Sequence, residues 1–149
     1  MGFEVVAGFE ERVRESFAGQ PFMATMGAEL VRVEPGVVAI SLPFRGDLTQ
    51  QHGFLHAGAV AAVLDSACGY AAFSLMPAGS GVLTVDYTIN LMAPAAGEVL
   101  VAVGTVIRRG RTLTVCRGDA TIAGPDGERA VSAMQATVMT LTDRPDVVG

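Results

Sequence analysis

Lysine and tryptophan are absent from this 149-residue chain, and cysteine and histidine occur only twice each. Every basic residue is arginine, a bias we attribute to coding rather than to function. The net charge of −5 provides no basic face for a phosphate backbone, so nucleic acid is excluded as a partner. Charged side chains make up 17% of the residues against 50% hydrophobic. A chain this apolar is expected to hide part of its surface in an oligomer.

Cys68 and Cys116 lie in apolar or strand-like settings without framework spacing. That excludes a disulfide scaffold and points to buried thiols in a reducing compartment. The opening "MGFEVVAGFEERVRESF" carries acids where a secretory leader carries basic residues and an apolar run. Gly2 lacks the downstream Ser or Thr of a myristoylation signal, and a cytoplasmic protein is expected. Residues 58–76 approach the length of a membrane span, but Asp65 at their centre would cost about 2.5–3.5 kcal/mol on insertion scales. Gly58, Ser66, Gly69 and Ser74 weaken that reading further, so a buried helix and no membrane contact are expected. No repeat, low-complexity tract or linker interrupts the chain, which reads as a single domain.

What is there has a clear order. Phe3, Val6, Phe9, Val13 and Phe17 recur at helical spacing, predicting an amphipathic helix over 4–18 ahead of a core at about 25–142. Residues 28–34 and 37–44 read as strands joined by "EPG". The long loop "RGDLTQQHGFL" follows, and long loops in compact domains are often functional. Residues 56–76 are apolar on nearly every side and predict a helix that must be covered all round. Four more strands are expected near 82–92, 98–108, 112–122 and 130–141, running as a meander. In the first of them Leu83, Val85, Tyr87, Ile89 and Leu91 alternate with Thr84, Asp86, Thr88 and Asn90. The fold class is therefore α+β, an antiparallel sheet of six strands wrapped on one long helix.

Asp65 is the single charged residue between positions 50 and 76. It either occupies a solvent-facing slot or is an acid enclosed by apolar side chains, the setting in which catalytic carboxylates occur. His56, Ala57 and Gly58 open the same helix, whose first N–H groups lack intrahelical partners and can hold a carbonyl oxygen that gains charge. His56 could equally serve only as a cap. His52 and His56 would share a face if helical, but Gly53 intervenes and a third ligand is missing, so no metal site is expected. A serine triad is excluded by the absence of G-x-S-x-G. His56 and Asp65 are nine residues apart, roughly 13–14 Å along a helix and on opposite sides of it. One chain cannot bring both to the same carbonyl, whereas two antiparallel copies about a two-fold axis can.

"HGFLHAGAVAAVLDSACGYAA" together with "GVLTVDYTINLMAPAAGE" resembles the hot-dog-fold thioesterases of the PaaI-like, phenylacetate-degradation group. The resemblance implies hydrolysis of an acyl-CoA thioester without metal or redox cofactor, coenzyme A being part of the substrate. It also implies a homodimer with shared active sites, further paired into a homotetramer. By the same resemblance, Asp65 is the nucleophile or general base. His56, Ala57 and Gly58 polarise the carbonyl, and Gln50 takes the place of the usual asparagine. Thr84 corresponds to a hydroxyl residue that assists the attacking water in some members. Ala57 stands where the group has glycine but keeps the backbone N–H, and Gln50 is longer by one methylene. The turn "RRGRT" places Arg108, Arg109 and Arg111 where the nucleotide end of coenzyme A is held, with a solvated turn as the alternative. Two other readings share the fold: a non-catalytic acyl-CoA-binding module, and an enoyl-CoA hydratase, which would carry His where this chain has Tyr70.

Overall fold

The computed structural model describes residues 2–149, and its centre is the apolar helix that contains Asp65. Two short helices, α1 (Phe9–Ala18) and α2 (Pro21–Met26), precede the hairpin of β1 (Glu29–Glu34) and β2 (Val37–Pro43). The long helix α3 (Ala57–Phe73) follows, and then β3 (Gly81–Leu91), β4 (Val99–Arg108), β5 (Leu113–Gly124) and β6 (Gly127–Leu141). All strands join one antiparallel sheet in the order β1-β2-β4-β5-β6-β3.

The sheet curls over α3, which packs on β2, β3, β4, β5 and β6. Val60, Val63, Leu64, Ala67, Cys68, Ala71 and Phe73 are buried in the resulting core. The approach needs glycine: a Cβ on Gly104 of β4 would come within 2.3 Å of the Ala67 carbonyl oxygen. No helix among the described residues is long and apolar enough to cross a membrane.

Turn chemistry sets the hairpins. Pro35-Gly36 joins β1 to β2 with Gly36 at φ 77°, a conformation that favours glycine. Pro125-Asp126 joins β5 to β6 between the paired residues Gly124 and Gly127.

Four expectations are corrected. The first helix begins at Phe9 and not at residue 4, because Gly8 takes φ 72° and breaks any helix running through it. The helix α2 was not foreseen; Pro21 at its first turn and Gly27 at φ 75° after its end are ordinary start and stop signals. The last four strands are not one meander, since β3 crosses to the far edge and, among the described residues, pairs only with β6. Finally, the alternation within β3 does not hold along its length. Thr84 pairs with Val138 and Asp86 with Thr137, which leaves Val85 as an extra residue in a β-bulge. Paired residues of an antiparallel ladder point to the same face, so Thr84 lies with buried Val138 and Tyr87 with buried Ala136. By this register Thr84 lies on the α3 face of the sheet with Tyr87, Ile89 and Leu91, and Leu83 on the other, although Leu83, Tyr87 and Leu91 are all exposed at this edge.

Candidate active site

The start of α3 is shaped by backbone hydrogen bonds. The His56 N–H donates to the Leu48 carbonyl at 2.9 Å, and the Leu55 N–H to the Ala95 carbonyl at 2.9 Å. The loop entering the helix is therefore tied at both of its last residues. His56 is the N-cap, and its Nδ1 accepts the Gly58 N–H at 2.8 Å. A neutral imidazole that accepts at Nδ1 carries its proton on Nε2.

This cap changes the expected donor set. The Gly58 N–H is committed to His56 and the Ala59 N–H to the His56 carbonyl at 2.9 Å, so Gly58 is not free to polarise a substrate. Among the described residues the Ala57 N–H has no partner, and it is the first-turn donor left for a ligand. Ala57 lines a cavity of about 360 Å³ with Gln50, Phe54, Val60, Leu91 and Met92. The Gln50 side-chain Oε1 accepts the His52 N–H at 2.5 Å and the Phe54 N–H at 3.4 Å, so its NH2 end is the part left for a substrate.

Nine residues along, Asp65 lines a different cavity of about 580 Å³, between α3, β3 and the α1–α2 corner. The two cavities share no lining residue. Thr84 Oγ1 donates to Asp65 Oδ1 at 2.6 Å, a contact that exists because the Val85 bulge turns Thr84 inward. Of the two settings left open for Asp65, a solvent-facing slot and an apolar enclosure, it occupies neither fully: it is half-buried in a polar cavity. Ser66 Oγ donates to Gln20 Oε1 at 3.2 Å, and Gln20 Nε2 donates to the Tyr70 hydroxyl at 3.0 Å. Ser16, Gln20, Ser66 and Tyr70 were absent from the candidates read in the sequence. The proline and glycine bracketing α2 could have shown that a helix end lies near, but not that Gln20 reaches α3.

Arg109 and Arg111 line a third cavity, about 350 Å³, with Met76 and Pro77 just beyond the end of α3. Gly110 is required between them, since a Cβ there would lie 2.0 Å from the Leu113 carbonyl oxygen. Arg108 is exposed at the end of β4 and does not join this cavity. His52 sits in the turn before α3, with Gly53 at φ 83°, so it does not share a helical face with His56. No group of three or more His, Cys, Asp or Glu side chains among the described residues is arranged to hold a metal. Burial pushes the Cys116 thiol up to about 12 and raises Cys68 as well, so neither supplies a thiolate near neutral pH.

A family comparison addresses what such an arrangement belongs to. The family described as the Thioesterase superfamily matches residues 52–127. The chain belongs to the Thioesterase superfamily. The matched segment contains His56, Ala57, Gly58, Asp65, Thr84 and the arginine turn, and leaves out Gln50 and Gln20. A thioesterase family protein from Silicibacter pomeroyi has a similar structure, with a TM-score of 0.89 and 50% identity over 91% of this chain and 99% of that one. The PaaI protein of the Escherichia coli phenylacetic acid degradation operon shares the fold, with a TM-score of 0.81 at 16% identity over 93% of this chain and 96% of that one. The hot-dog architecture of this thioesterase-family chain is therefore established. A candidate esterase of Halobacterium salinarum is 29% identical over 98 residues, 62% of this chain. The matched stretch spans 64% of that relative's length.

Proposed function

We propose that this protein hydrolyses acyl-CoA thioesters to free acid and coenzyme A, at two equivalent sites each built from two subunits. One observation carries the reading. The free Ala57 N–H and the Asp65–Thr84 pair lie in cavities with no shared residue, so a single chain holds two half-sites that face different spaces. A two-fold axis that lays two α3 helices antiparallel would join the half-site of one chain to the complementary half-site of the other.

The free edge of β3 supports such a pairing. Leu83, Val85, Tyr87 and Leu91 are each 43–52% exposed along this unpaired edge. Long apolar edge strands favour strand-to-strand association. Further pairing of dimers into a tetramer belongs to the same proposal.

In the joined site the thioester carbonyl oxygen takes the Ala57 N–H at the positive end of α3. His56 Nε2–H and the Gln50 amide are the adjacent donors. Asp65 from the other chain either attacks the carbonyl carbon, forming an anhydride that water then opens to the free acid, or takes a proton from a water whose oxygen attacks that carbon, and Thr84 holds Oδ1 so that Oδ2 faces the reaction. The coenzyme thiolate leaves, and its phosphates suit the Arg109 and Arg111 guanidinium groups.

Free-thiol release from a panel of acyl-CoA esters is the direct test, and turnover of at least one ester is expected. Subunit mixing tests the shared site. Asp65→Asn dimers and Gln50→Ala/His56→Ala dimers should each be nearly inactive, whereas co-refolded mixtures should recover about a quarter of wild-type activity, because half of the random dimers contain one intact site. Mixtures as inactive as their parents despite proven subunit exchange would refute the shared site.

A further inference from the structure

Residues 143–149 run from the end of β6 to the rim of the Asp65 cavity. Leu141, the last residue of β6, pairs with Gly81, the first of β3. Asp143 then takes φ 57°, a left-handed conformation that turns the chain back over the start of β3. The Val147 N–H donates to the Arg144 carbonyl at 3.0 Å, and the Arg144 guanidinium forks onto Asp146 at 2.6 and 2.9 Å. These bonds are internal to the segment, so it can move as one piece about Asp143.

Its attachment to the rest of the chain is specific but sparse. The Val147 carbonyl oxygen comes so close to β3 that a Cβ on Gly81 would lie 1.8 Å from it. Gly81 is not at positive φ, so its backbone would accept any residue, and glycine is required there by the returning segment. The Gly149 N–H donates to the Ser80 carbonyl at 3.3 Å, and the Gly149 carbonyl accepts from Ser16 Oγ at 2.5 Å. Only Val147 is partly buried, and every other residue of 143–149 is exposed. A segment with so little buried apolar surface belongs to the low-stability end of a structure. Ser80 weakens the docking further. It is 2% exposed and its Oγ has no partner among the described residues, a buried hydroxyl that water would satisfy once the segment lifted.

What the segment touches connects it to the site. Gly149 lines the same cavity as Asp65, Gln20 and Tyr70. A carbonyl can only accept, so the single Ser16 hydroxyl proton goes to Gly149, and the Tyr70 hydroxyl, 3.2 Å away, donates to Ser16 Oγ. That hydroxyl in turn accepts from Gln20 Nε2 at 3.0 Å. A line of hydrogen bonds thus runs from the segment through α1 to α3.

We propose that residues 143–149 are a strap that closes over the Asp65 cavity and lifts as a unit about Asp143 to admit the ester and release the acid. The inference rests on the thioesterase reading. Closed, the strap completes the cavity wall at Gly149. Lifted, it frees the Ser80 and Ser16 hydroxyls to water and opens that wall. A strap lifted for about a tenth of the time would lower kcat/KM about tenfold for an ester that needs it lifted. An ester small enough to pass the closed strap would be unaffected.

Three variants of the full chain test this. Gly81→Ala removes the room for the Val147 carbonyl, Ser16→Ala cuts the tie at Gly149, and Ser80→Ala deletes the unpartnered hydroxyl. Hydrogen exchange of the 143–149 backbone amides reads the strap directly. Free-thiol release from a panel running from acetyl-CoA to palmitoyl-CoA reads access. Exchange should quicken about tenfold in Gly81→Ala and Ser16→Ala and slow in Ser80→Ala. The ratio of kcat/KM for the bulkiest over the smallest ester that wild type turns over should rise by up to about tenfold in the first two and fall in the third. General damage to the fold would not give opposite signs at adjacent residues, and Ser16→Ala with Ser80→Ala carries the test if Gly81→Ala does not fold. Unchanged exchange in the variants would show that these contacts do not hold the segment. Faster exchange with an unchanged ratio would show that the strap does not gate the cavity, and either result overturns the inference. Absence of thiol release from any ester would remove the thioesterase reading and the gate with it, whereas the exchange pattern would still decide what holds the strap.

Discussion

The two cavities along α3 are built by different means. The one at the helix start is made by backbone: a capped N-terminus, a loop tied by main-chain hydrogen bonds, and one N–H without a partner. The one around Asp65 is made by side chains that bond to one another across three elements. Backbone donors survive most substitutions. The chain keeps its first-turn N–H with alanine at position 57, as it would with any residue but proline. A side-chain site has no such tolerance, since its polar groups depend on particular partner side chains that a single change removes. Substitutions should therefore act through chemistry at Asp65 and through backbone geometry at Ala57.

The largest effect should come from Asp65→Asn. The variant keeps the shape and the Thr84 contact but loses the basic oxygen, and kcat for thioester hydrolysis should fall by about 10²–10⁴-fold, the usual range for a positioned acid–base group. The melting temperature checks that the fold persists. Turnover equal to wild type would remove Asp65 from the chemistry.

Next in size is Ala57→Pro, which tests the backbone half. Position 57 is the first helical residue, where proline is tolerated because that N–H has no intrahelical partner. His56, at φ −59° and ψ 137°, already has the extended conformation that a following proline requires. The substitution therefore deletes one hydrogen-bond donor with little strain. Loss of an oxyanion donor costs about 10²–10³-fold in kcat. Ala57→Gly retains the donor and should stay close to wild type. Equal activity of the proline and glycine variants would mean that the N–H does not touch the reacting carbonyl.

The same division explains what could be read in advance. The long helix was legible because it is apolar on nearly every side, and the β1–β2 hairpin because Pro35-Gly36 is a local turn signal. The separation of His56 from Asp65 followed from helix geometry alone. The tertiary partners were not legible. The Gly58 N–H looks free in any list of first-turn donors, and it is occupied only because the His56 ring folds back onto it. The position of β3 at the far edge depends on β6, and so does the bulge at Val85. Strict alternation put Thr84 on the same face as Asp86 and Thr88. One extra residue in the ladder reverses the phase and delivers its hydroxyl to Asp65.

That reversal gives the smallest of the three effects and the most specific one. Thr84→Val keeps the β-branched shape suited to a strand and removes only the hydroxyl. The Asp65 carboxylate would lose one charge-assisted hydrogen bond, of about 1.5–3 kcal/mol when fully formed, and with it the restraint on its orientation. Water can replace part of that bond because Thr84 is only half-buried, so the expected loss in kcat is nearer tenfold than a hundredfold. KM should change little, because the hydroxyl holds the acid and not the substrate. Thr84→Ser restores the donor and should recover most of the rate. Combined with Asp65→Asn, Thr84→Val should add almost nothing, since the hydroxyl acts through the acid. A double variant slower than Asp65→Asn by a further tenfold would show that Thr84 acts on the substrate or the attacking water directly.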